Sequence, residues 1–297
     1  MKMKKWVIVI MTLVIGLSMA LSGCSGDDTI TIGSKDFSEN MILGEVFAQL
    51  IENRTDISVN RKLNLGGTFV CFEAIKKGEI DIYAEYTGTA LTAQLDMDVI
   101  GDPDEAYRVV SEEFDSQFDI TWLEPLGLNN TYAVAVSNEV YEEYGIETYS
   151  DLAKVSENLV FGGGYEFYDR PDGFDGLKEL YGMEFKGDPV KMEISMKYQA
   201  IGNGDIDATD AFATDGPIRK YNLKVLEDDK GFFPPYYASA LIRNDTLENY
   251  PELKDLLNEL GGMIDDPTMI ELNYLVDVEG QSIEDVAKDF LESKDLI

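Results

Sequence analysis

Residues 74–89, AIKKGEIDIYAEYTGT, are repeated in outline by residues 200–215, AIGNGDIDATDAFATD. Ala-Ile, a glycine and an Ile-Asp pair stand at the same positions in both segments. In each segment a helix-like run ends at the glycine, a short strand follows, and an aromatic residue comes next, Tyr86 or Phe212. The pattern predicts two lobes of similar plan; the alternative is a chance similarity of two helix–glycine–strand units.

A second, shorter similarity predicts how the lobes are connected. TYAVAV begins at Thr131 and YYASAL at Tyr236, and both contain Tyr-Ala-x-Ala before an apolar run. If each is a crossover strand, the chain leaves the first lobe near Tyr132 and returns near Tyr237. The predicted boundaries are a first lobe of residues 29–132 with 238–297 and an inserted second lobe of residues 133–237.

Strand-like and helix-like segments alternate through the chain. Residues 29–32 alternate as a strand does, and Asp36, with Glu39 three residues later, is typical of a helix start. Residues 57–63 resemble the next strand. This alternation predicts an α/β architecture, with a sheet flanked by helices in each lobe. Because ligands of open α/β sheets bind beyond the carboxyl ends of the strands, we expect the repeated aromatic residues and both crossovers to line one crevice.

The first residues are typical of an export signal and are excluded from the fold. Three lysines form a positive start, residues 6–21 are mostly apolar, and Leu-Ser-Gly precedes Cys24. We predict a signal peptide over residues 1–23 and a linker over residues 24–28. The junction resembles a bacterial lipobox, which implies lipidation of Cys24 on the outer face of the cytoplasmic membrane. An uncleaved membrane anchor with a chance cysteine is the alternative.

The chain is strongly acidic, with 24 Lys and Arg against 57 Asp and Glu and a net charge of −33. Removal of the signal peptide takes away three lysines and no acid, which leaves −36. Such a charge repels nucleic acid and attracts cations, although solubility in a salty medium accounts for most of it. We therefore expect no nucleic-acid partner.

Histidine is absent from the chain, which narrows the chemistry available to it. Ser-His-Asp and Cys-His nucleophile systems and histidine-dependent metal sites are excluded. Cys71 has no disulfide partner after processing, and its apolar surroundings predict a small core residue. Catalysis by two carboxylates, as in a glycosidase, stays open, but no pair stands out among 57 acids. The sequence predicts no catalytic residue, metal or cofactor.

The stretch FFPPYYASAL, residues 232–241, places four aromatic residues around two prolines. The prolines fix φ and remove backbone donors, so the segment is stiff. Phe232 and Phe233 fit a hydrophobic plug, whereas Tyr236 or Tyr237 favours an environment with one solvated end. Aromatic rings attract a cation through their negative faces, by roughly 0.5 to 2 kcal/mol each. Sugars also stack on such rings, so the rings alone leave the ligand open.

Six motifs, spread in order through the chain, resemble the substrate-binding lipoproteins of compatible-solute ABC importers. They are IGSKDFSENMILGEVFAQLIE, EYTGTA, NNTYA, ATDGPI, DDKGFFPPYYA and ELNYLVDVEG. Members of this family take up glycine betaine, choline, carnitine and related osmolytes. The resemblance implies a two-lobed fold like that of periplasmic binding proteins, with two hinge crossovers. It also implies a non-enzymatic receptor that delivers a quaternary ammonium solute to a permease and its ATPase; a receptor for another small solute, or a glycosidase, is the alternative.

The resemblance also assigns aromatic residues of the binding site. The family's aromatic cage falls on Tyr86, Tyr132 and Tyr236. Its fourth position falls on Phe212, where relatives often carry tyrosine; phenylalanine keeps the aromatic face but lacks the hydroxyl group. The Pro-Pro-Tyr motif selects Tyr236, whereas the internal Tyr-Ala-x-Ala similarity would select Tyr237.

Polar residues match further pocket positions of the family. Lys35 in GSKDF and Thr89 in YTGT are expected to line the pocket; for Lys35, a solvated loop lysine is the alternative. A cationic donor after a strand end would suit a ligand carboxylate. Arg170 in YDRPDG resembles an anion-binding position of some relatives, and the sequence does not decide between Lys35 and Arg170. Some choline-selective relatives carry an acid at the position of Thr89, so this neutral side chain is expected to tolerate carboxylated ligands.

Overall fold

The computed structural model describes residues 29–297, so the predicted signal peptide and Cys24 lie outside the described residues. The strands of this part of the chain are β1 (Thr29–Gly33), β2 (Ser58–Lys62), β3 (Ile82–Tyr86), β4 (Ile120–Trp122), β5 (Tyr132–Val136), β6 (Phe161–Gly164), β7 (Val190–Met192), β8 (Ala208–Phe212), β9 (Lys224–Val225) and β10 (Ala238–Arg243).

Helices connect most of these strands. Those before β6 are α1 (Ser38–Arg54), α2 (Thr68–Lys76), α3 (Thr87–Thr89), α4 (Pro103–Phe118), α5 (Asn138–Tyr144) and α6 (Tyr149–Val155). Those after it are α7 (Tyr165–Asp169), α8 (Phe174–Tyr181), α9 (Ile194–Gly202), α10 (Pro217–Lys220), α11 (Asn244–Asn249), α12 (Glu252–Asn258), α13 (Asp266–Asp277) and α14 (Ile283–Ser293). A π-helical stretch, Ala90–Gln94, continues α3, and a 3₁₀ turn, Ser156–Asn158, continues α6. None of the helices in residues 29–297 is long and apolar enough to cross a membrane.

The strands form two five-stranded sheets of the same plan. The first has the order β2-β1-β3-β10-β4 and the second the order β7-β6-β8-β5-β9. In each sheet three strands are parallel, and β3 or β8 then pairs antiparallel with a crossover strand, β10 or β5. We call the parts built on the two sheets the first and second lobes. The prediction of a two-lobed α/β fold is confirmed.

The repeated sequence has the same role in both lobes. α2 leads through Gly78 into β3, and α9 leads through Gly204 into β8. Both glycines have positive φ, 68° and 77°, a conformation that side chains with a Cβ disfavour. Asp81 accepts a backbone hydrogen bond of 2.6 Å from β1, and Asp207 accepts one of 2.7 Å from the residue before β6. The similarity of the two segments therefore reflects a repeated structure rather than chance.

Two antiparallel strands carry the chain between the lobes. β5 enters the second sheet at Tyr132, which pairs with Phe212. β10 returns to the first sheet at Ala238, which pairs with Tyr86. The structural counterpart of Tyr132 is thus Ala238. The predicted lobe boundaries at residues 132/133 and 237/238 lie at these crossovers and remain a proposal.

The sequence similarity between the crossovers is one residue out of register. It matched Tyr132 with Tyr237, whereas the strand pairing matches Tyr132 with Ala238. Successive residues of an extended segment point to opposite faces. Tyr236 therefore shares the face of Ala238, and Tyr237 lies on the other one.

The prediction of a helix start at Asp36 is wrong. α1 begins at Ser38, and the preceding Phe37 makes no capping hydrogen bond through its side chain. Glu39 is buried rather than turned toward the free end of the helix. Asn40 is also buried, so two side chains of the first turn point to the interior.

Cys71 is fully buried, which confirms its prediction as a core residue. Burial raises the pKa of its thiol to about 12, so the group stays protonated. Its neighbours in this part of the core, Phe72, Phe114 and Trp122, are apolar. Lys35 acts in the opposite direction on the thiol pKa, but burial outweighs it, so the environment does not favour a reactive thiolate.

Candidate functional site

Four aromatic side chains from separate segments line one cavity between the two sheets. Tyr86 ends β3, Phe212 ends β8, Tyr132 begins β5, and Tyr236 precedes β10. They are between 1 % and 7 % exposed. The strand ends and the crossovers bring these rings together, because β3 and β8 hold the same place in their two sheets.

The rings are packed closely around the cavity. The ring centroid of Tyr132 lies 4.7 Å from that of Phe212 and 5.8 Å from that of Tyr236. Phe37 is a fifth aromatic side chain of this group. Its ring centroid lies 5.2 Å from that of Phe212 and 6.2 Å from that of Tyr86. Sequence analysis missed Phe37 as a site residue because its spacing fitted the apolar face of α1.

The cavity itself is small, at about 20 Å³. A water molecule needs about 10 to 15 Å³ of such space, so the rings enclose room for about one water. A wider cleft of about 590 Å³ adjoins it and shares Phe37 and Ile194 with it. A larger solute does not fit among the rings in this arrangement, and hinge movement of two lobes around a ligand is a known way to admit one. The cleft carries more acids than bases: Asp36, Glu193, Asp215 and Asp277 against Lys220.

Lys35 lies in the cavity wall and is not a solvated loop lysine. It is 3 % exposed, and its Nζ donates to Glu85 Oε1 at 2.5 Å and to Thr68 Oγ1 at 2.8 Å. The same nitrogen lies 5.1 Å from the ring centroid of Tyr86. Because Glu85 balances its charge, a ligand carboxylate would have to compete with Glu85 for this amine.

Arg170 contributes a second buried cation from the other lobe. Its Nη2 lies 2.5 Å from Asp172 Oδ2 and 3.3 Å from Thr89 Oγ1, which belongs to the first lobe. Tyr236 Oη also donates to Asp172 Oδ2, at 2.5 Å. Burial opposes ionisation of Asp172, but Arg170 and the Tyr236 hydroxyl hold its pKa below the usual range. Tyr236 is thereby held by an ion pair of the second lobe, and Arg170 of this pair also contacts the first lobe through Thr89.

Glu166, on α7 of the second lobe, caps a helix of the first lobe. Its Oε2 accepts a hydrogen bond of 2.9 Å from the backbone nitrogen of Thr68, at the start of α2. A Cβ on Gly67 would lie 2.1 Å from that oxygen, so the glycine permits the approach. Burial opposes ionisation of Glu166, but Lys35 and Arg170 lower its pKa. A carboxylate at a helix N-terminus is also favoured by the helix dipole.

The aromatic turn before β10 is packed on two sides. A Cβ on Gly88 would lie 2.8 Å from the ring of Tyr236 and 2.9 Å from Pro234, so the glycine lets the turn lie against α3. Phe233 is partly buried, and its ring centroid lies 5.8 Å from Tyr132 and 6.5 Å from Phe167. Phe233 thus packs behind the cage, as expected for a plug.

The cavity brings together all the predicted pocket residues: Lys35, Tyr86, Thr89, Tyr132, Phe212 and Tyr236, together with Arg170. Their role in ligand binding remains a prediction. Sequence analysis did not single out five further lining residues: Phe37, Thr68, Asn130, Glu166 and Ile194. Phe37 and Asn130 lie inside quoted motifs and could have been found there, whereas Glu166 and Ile194 had no such signal.

Comparisons with known proteins show the family of the chain. Residues 28–293 match the family model OpuAC, the substrate binding domain of ABC-type glycine betaine transport systems. The carnitine transport binding protein OpuCC of Listeria monocytogenes is 37% identical, over 97% of this chain and 96% of its own length. The ergothioneine transport permease/ergothioneine binding protein EgtU of Helicobacter pylori is 39% identical over 89% of this chain, but this chain spans only 47% of that protein.

The similarity extends to a solved structure. A crystal structure of a glycine betaine/carnitine/choline ABC transporter superposes with a TM-score of 0.73 and 36% identity. The superposition covers 90% of this chain and 99% of the other. The chain therefore belongs to the OpuAC family, the substrate-binding domains of ABC-type glycine betaine transport systems.

Proposed function

We propose that this protein captures a quaternary ammonium solute in a cage formed by Tyr86, Tyr132, Phe212 and Tyr236. The observation that carries the proposal is the convergence of four rings from both lobes on one buried cavity. A quaternary ammonium has no N–H group, so carboxylates and carbonyls cannot hydrogen-bond to it. Several aromatic faces suit it instead, at about 0.5 to 2 kcal/mol each.

The charges around the cage support a cationic ligand. Lys35 is balanced by Glu85 at 2.5 Å. Arg170 is balanced by Asp172 at 2.5 Å and also approaches Glu166 at 3.3 Å. Glu166 therefore leaves an excess of negative charge beside the rings. A cation relieves this excess, whereas the carboxylate of a zwitterion must displace an internal acid from Lys35 or Arg170.

The names of the relatives narrow the candidate solutes. They include carnitine for the Listeria protein and ergothioneine for the Helicobacter protein, and both compounds carry a trimethylammonium group and a carboxylate. The neutral side chain of Thr89 fits solutes of this kind. Our candidates are glycine betaine, carnitine and choline, and ergothioneine belongs in the same test.

The proposed setting is the outer face of the cytoplasmic membrane. Lipidation of Cys24 would hold the receptor there, and delivery to the permease and ATPase subunits of the importer would serve osmoprotection. A single acyl chain anchors only marginally, so two or three chains are needed. Catalysis has no part in this role.

A melting screen with titration calorimetry tests the proposal. A solute at a hundredfold excess over its Kd should stabilise the protein by about 2.7 kcal/mol and be recovered unchanged. We expect stabilisation by trimethylammonium compounds and none by glycine or by sugars, which lack this group. Stabilisation by sugars alone, or turnover of a glycoside, would reject the proposal.

A further inference from the structure

A buried carboxylate stands behind the aromatic cage. Glu39, in the first turn of α1, is 2 % exposed. Its Oε1 accepts hydrogen bonds from Tyr86 Oη at 2.8 Å and from Asn130 Nδ2 at 2.7 Å. Its Oε2 accepts from Thr214 Oγ1 at 2.6 Å and from Asn273 Nδ2 at 3.3 Å. Four donors thus hydrogen-bond to the carboxylate of Glu39, which is not itself a residue of the aromatic cage.

These donors connect Glu39 to the segments that carry three of the four aromatic residues of the cage. Tyr86 is a cage ring of the first lobe. Residue 130 stands two positions before Tyr132, between the lobes, and residue 214 stands two positions after Phe212, at the end of β8 in the second lobe. Glu39 therefore holds one ring directly and is hydrogen-bonded to the segments that carry two others.

The network has two hydrogen-bond arrangements that differ by one proton. Thr214 Oγ1 lies 2.6 Å from Glu39 Oε2 and 2.9 Å from Asn130 Oδ1, but a hydroxyl has a single hydrogen to donate. When Glu39 is ionised, Thr214 donates to it. When Glu39 is protonated, it donates to Thr214, and Thr214 donates to Asn130. Protonation thus removes the charge without breaking the network.

The charged groups around Glu39 come from several elements. Asp215 follows β8, and Asp277 on α13 accepts a hydrogen bond from the residue before Glu39. Lys35, on the loop before α1, is paired with Glu85 on β3. Two lysines offset part of this acidic charge: Lys197 acts to lower the pKa of Asp215, and Lys220 acts to lower that of Asp277.

These surroundings favour protonation near neutral pH. Burial is the main cause that raises the pKa of Glu39 to about 7, and Asp215 raises it further. The hydrogen bonds from Thr214 and Tyr86 act in the opposite direction. The charge behind the cage therefore changes close to pH 7.

We propose that Glu39 is a proton-sensitive positioning residue for cation binding, which acts on the cage through Tyr86 and Asn130. The inference rests on the proposed function, because it requires a cationic solute among the rings. Ionised Glu39 attracts the cation and orients the Tyr86 hydroxyl, so that the ring faces the solute. Protonated Glu39 keeps its hydrogen bonds but carries no negative charge, so it attracts the cation less.

The sign of the pH effect follows from linkage. Because the bound cation favours ionised Glu39, binding lowers the pKa of this group and releases protons near neutral pH. A fall of about one pKa unit on binding predicts about 0.4 proton released at about pH 7. It also predicts affinity about five- to tenfold weaker near pH 5.5 than near pH 8. Quaternary ammonium groups do not titrate in this range, so the effect belongs to the protein.

Calorimetric titration of the mature chain with glycine betaine and with choline tests the inference. The Kd is measured between about pH 8 and about pH 5.5, and the proton release is obtained near pH 7 from buffers that differ in ionisation enthalpy. Glu39→Gln is the informative variant, because its amide imitates the protonated form by donating to Thr214. We expect it to bind with a pH-independent Kd and to release no proton.

Two further variants separate Glu39 from other acids. Glu45→Gln removes another buried carboxylate of α1, which is paired with Arg61 at 2.8 Å, and should keep the pH profile of the wild type. Asp215→Asn should keep a proton release but move it to lower pH, because the charge of Asp215 raises the pKa of Glu39. A profile that persists in Glu39→Gln, or that Asp215→Asn abolishes, would overturn the inference.

Titration of the wild type alone also distinguishes failure of this inference from failure of the proposed function. Binding with a flat pH profile and no proton release would overturn the role of Glu39 and leave the proposed function intact. No binding of either solute near pH 8 would overturn the proposed function and this inference with it. If Glu39→Gln does not fold, proton release by the wild type that Asp215→Asn retains still supports the inference.

Discussion

Replacement of Thr89 by aspartate should weaken carboxylated solutes more than choline. Thr89 is 3 % exposed, and its Oγ1 lies 3.3 Å from Arg170 Nη2. Aspartate is close to threonine in size, so its carboxylate would stand at the same point of the cavity wall. A solute carboxylate that approaches Arg170 would then meet a like charge.

The magnitude follows from Coulomb's law. Two like charges about 4 to 5 Å apart repel by roughly 3 to 4 kcal/mol at an effective dielectric constant of 20. Arg170 offsets part of this repulsion, although Asp172 already occupies it at 2.5 Å. We therefore expect a net loss of about 1 to 3 kcal/mol for glycine betaine and carnitine, which is about five- to 150-fold in Kd. Choline has no carboxylate and should lose far less.

The assay is calorimetric titration of wild type, Thr89→Asp and Thr89→Asn with each solute. The asparagine variant has the shape of aspartate without its charge, so it separates electrostatics from packing. Melting of the unliganded variants checks that the fold is intact. An equal loss for betaine and choline in Thr89→Asp would refute the reasoning, because Thr89 would then be scaffold and not a determinant of ligand charge.

Three other predictions follow from the same geometry. Tyr132→Ala and Tyr236→Ala should lose about 1 to 2 kcal/mol in calorimetric binding, and because both rings are buried they should also lower apo melting. Phe233→Ala should lower apo melting with affinity nearly unchanged, and unchanged affinity in the two tyrosine variants would exclude them from the cage. Gly67→Ala should displace the carboxylate that caps α2 and weaken solute binding by about 1 to 2 kcal/mol, and unchanged affinity would show that this contact between the lobes is dispensable. Cys24→Ala should move the protein from the membrane to the soluble fraction on cell fractionation, and retention in the membrane would contradict lipidation.

Much of the fold could be predicted from local sequence. The segments around Gly78 and Gly204 predict the same helix–glycine–strand unit. The pattern is recognisable because a glycine with positive φ is followed by an Ile-Asp pair and a strand. The exact ends of the elements were less certain. α1 starts at Ser38, and Asp36 is not its N-cap residue. Glu39 belongs to a buried hydrogen-bond network, which no local pattern reveals.

The candidate site was predicted only in part. The Pro-Pro-Tyr motif selected Tyr236, and Tyr236 lines the cavity, whereas the internal similarity pointed one residue further, to Tyr237. A shift of one residue exchanges the two faces of a strand, and the register is set by the partner strand rather than by the segment itself.

The sequence by itself determined the two-lobed plan, the alternation of strands and helices, and the residue types that surround the cavity. Tertiary structure alone decided the electrostatics: Lys35 meets Glu85, 50 residues away, and Glu166 caps α2 by reaching Thr68, 98 residues away. The first contact joins two elements of the first lobe, and the second is set by how the two lobes meet. The physical reason is that backbone preferences and apolar periodicity act over a few residues, whereas the partner of a buried charge depends on which distant segments fold around it.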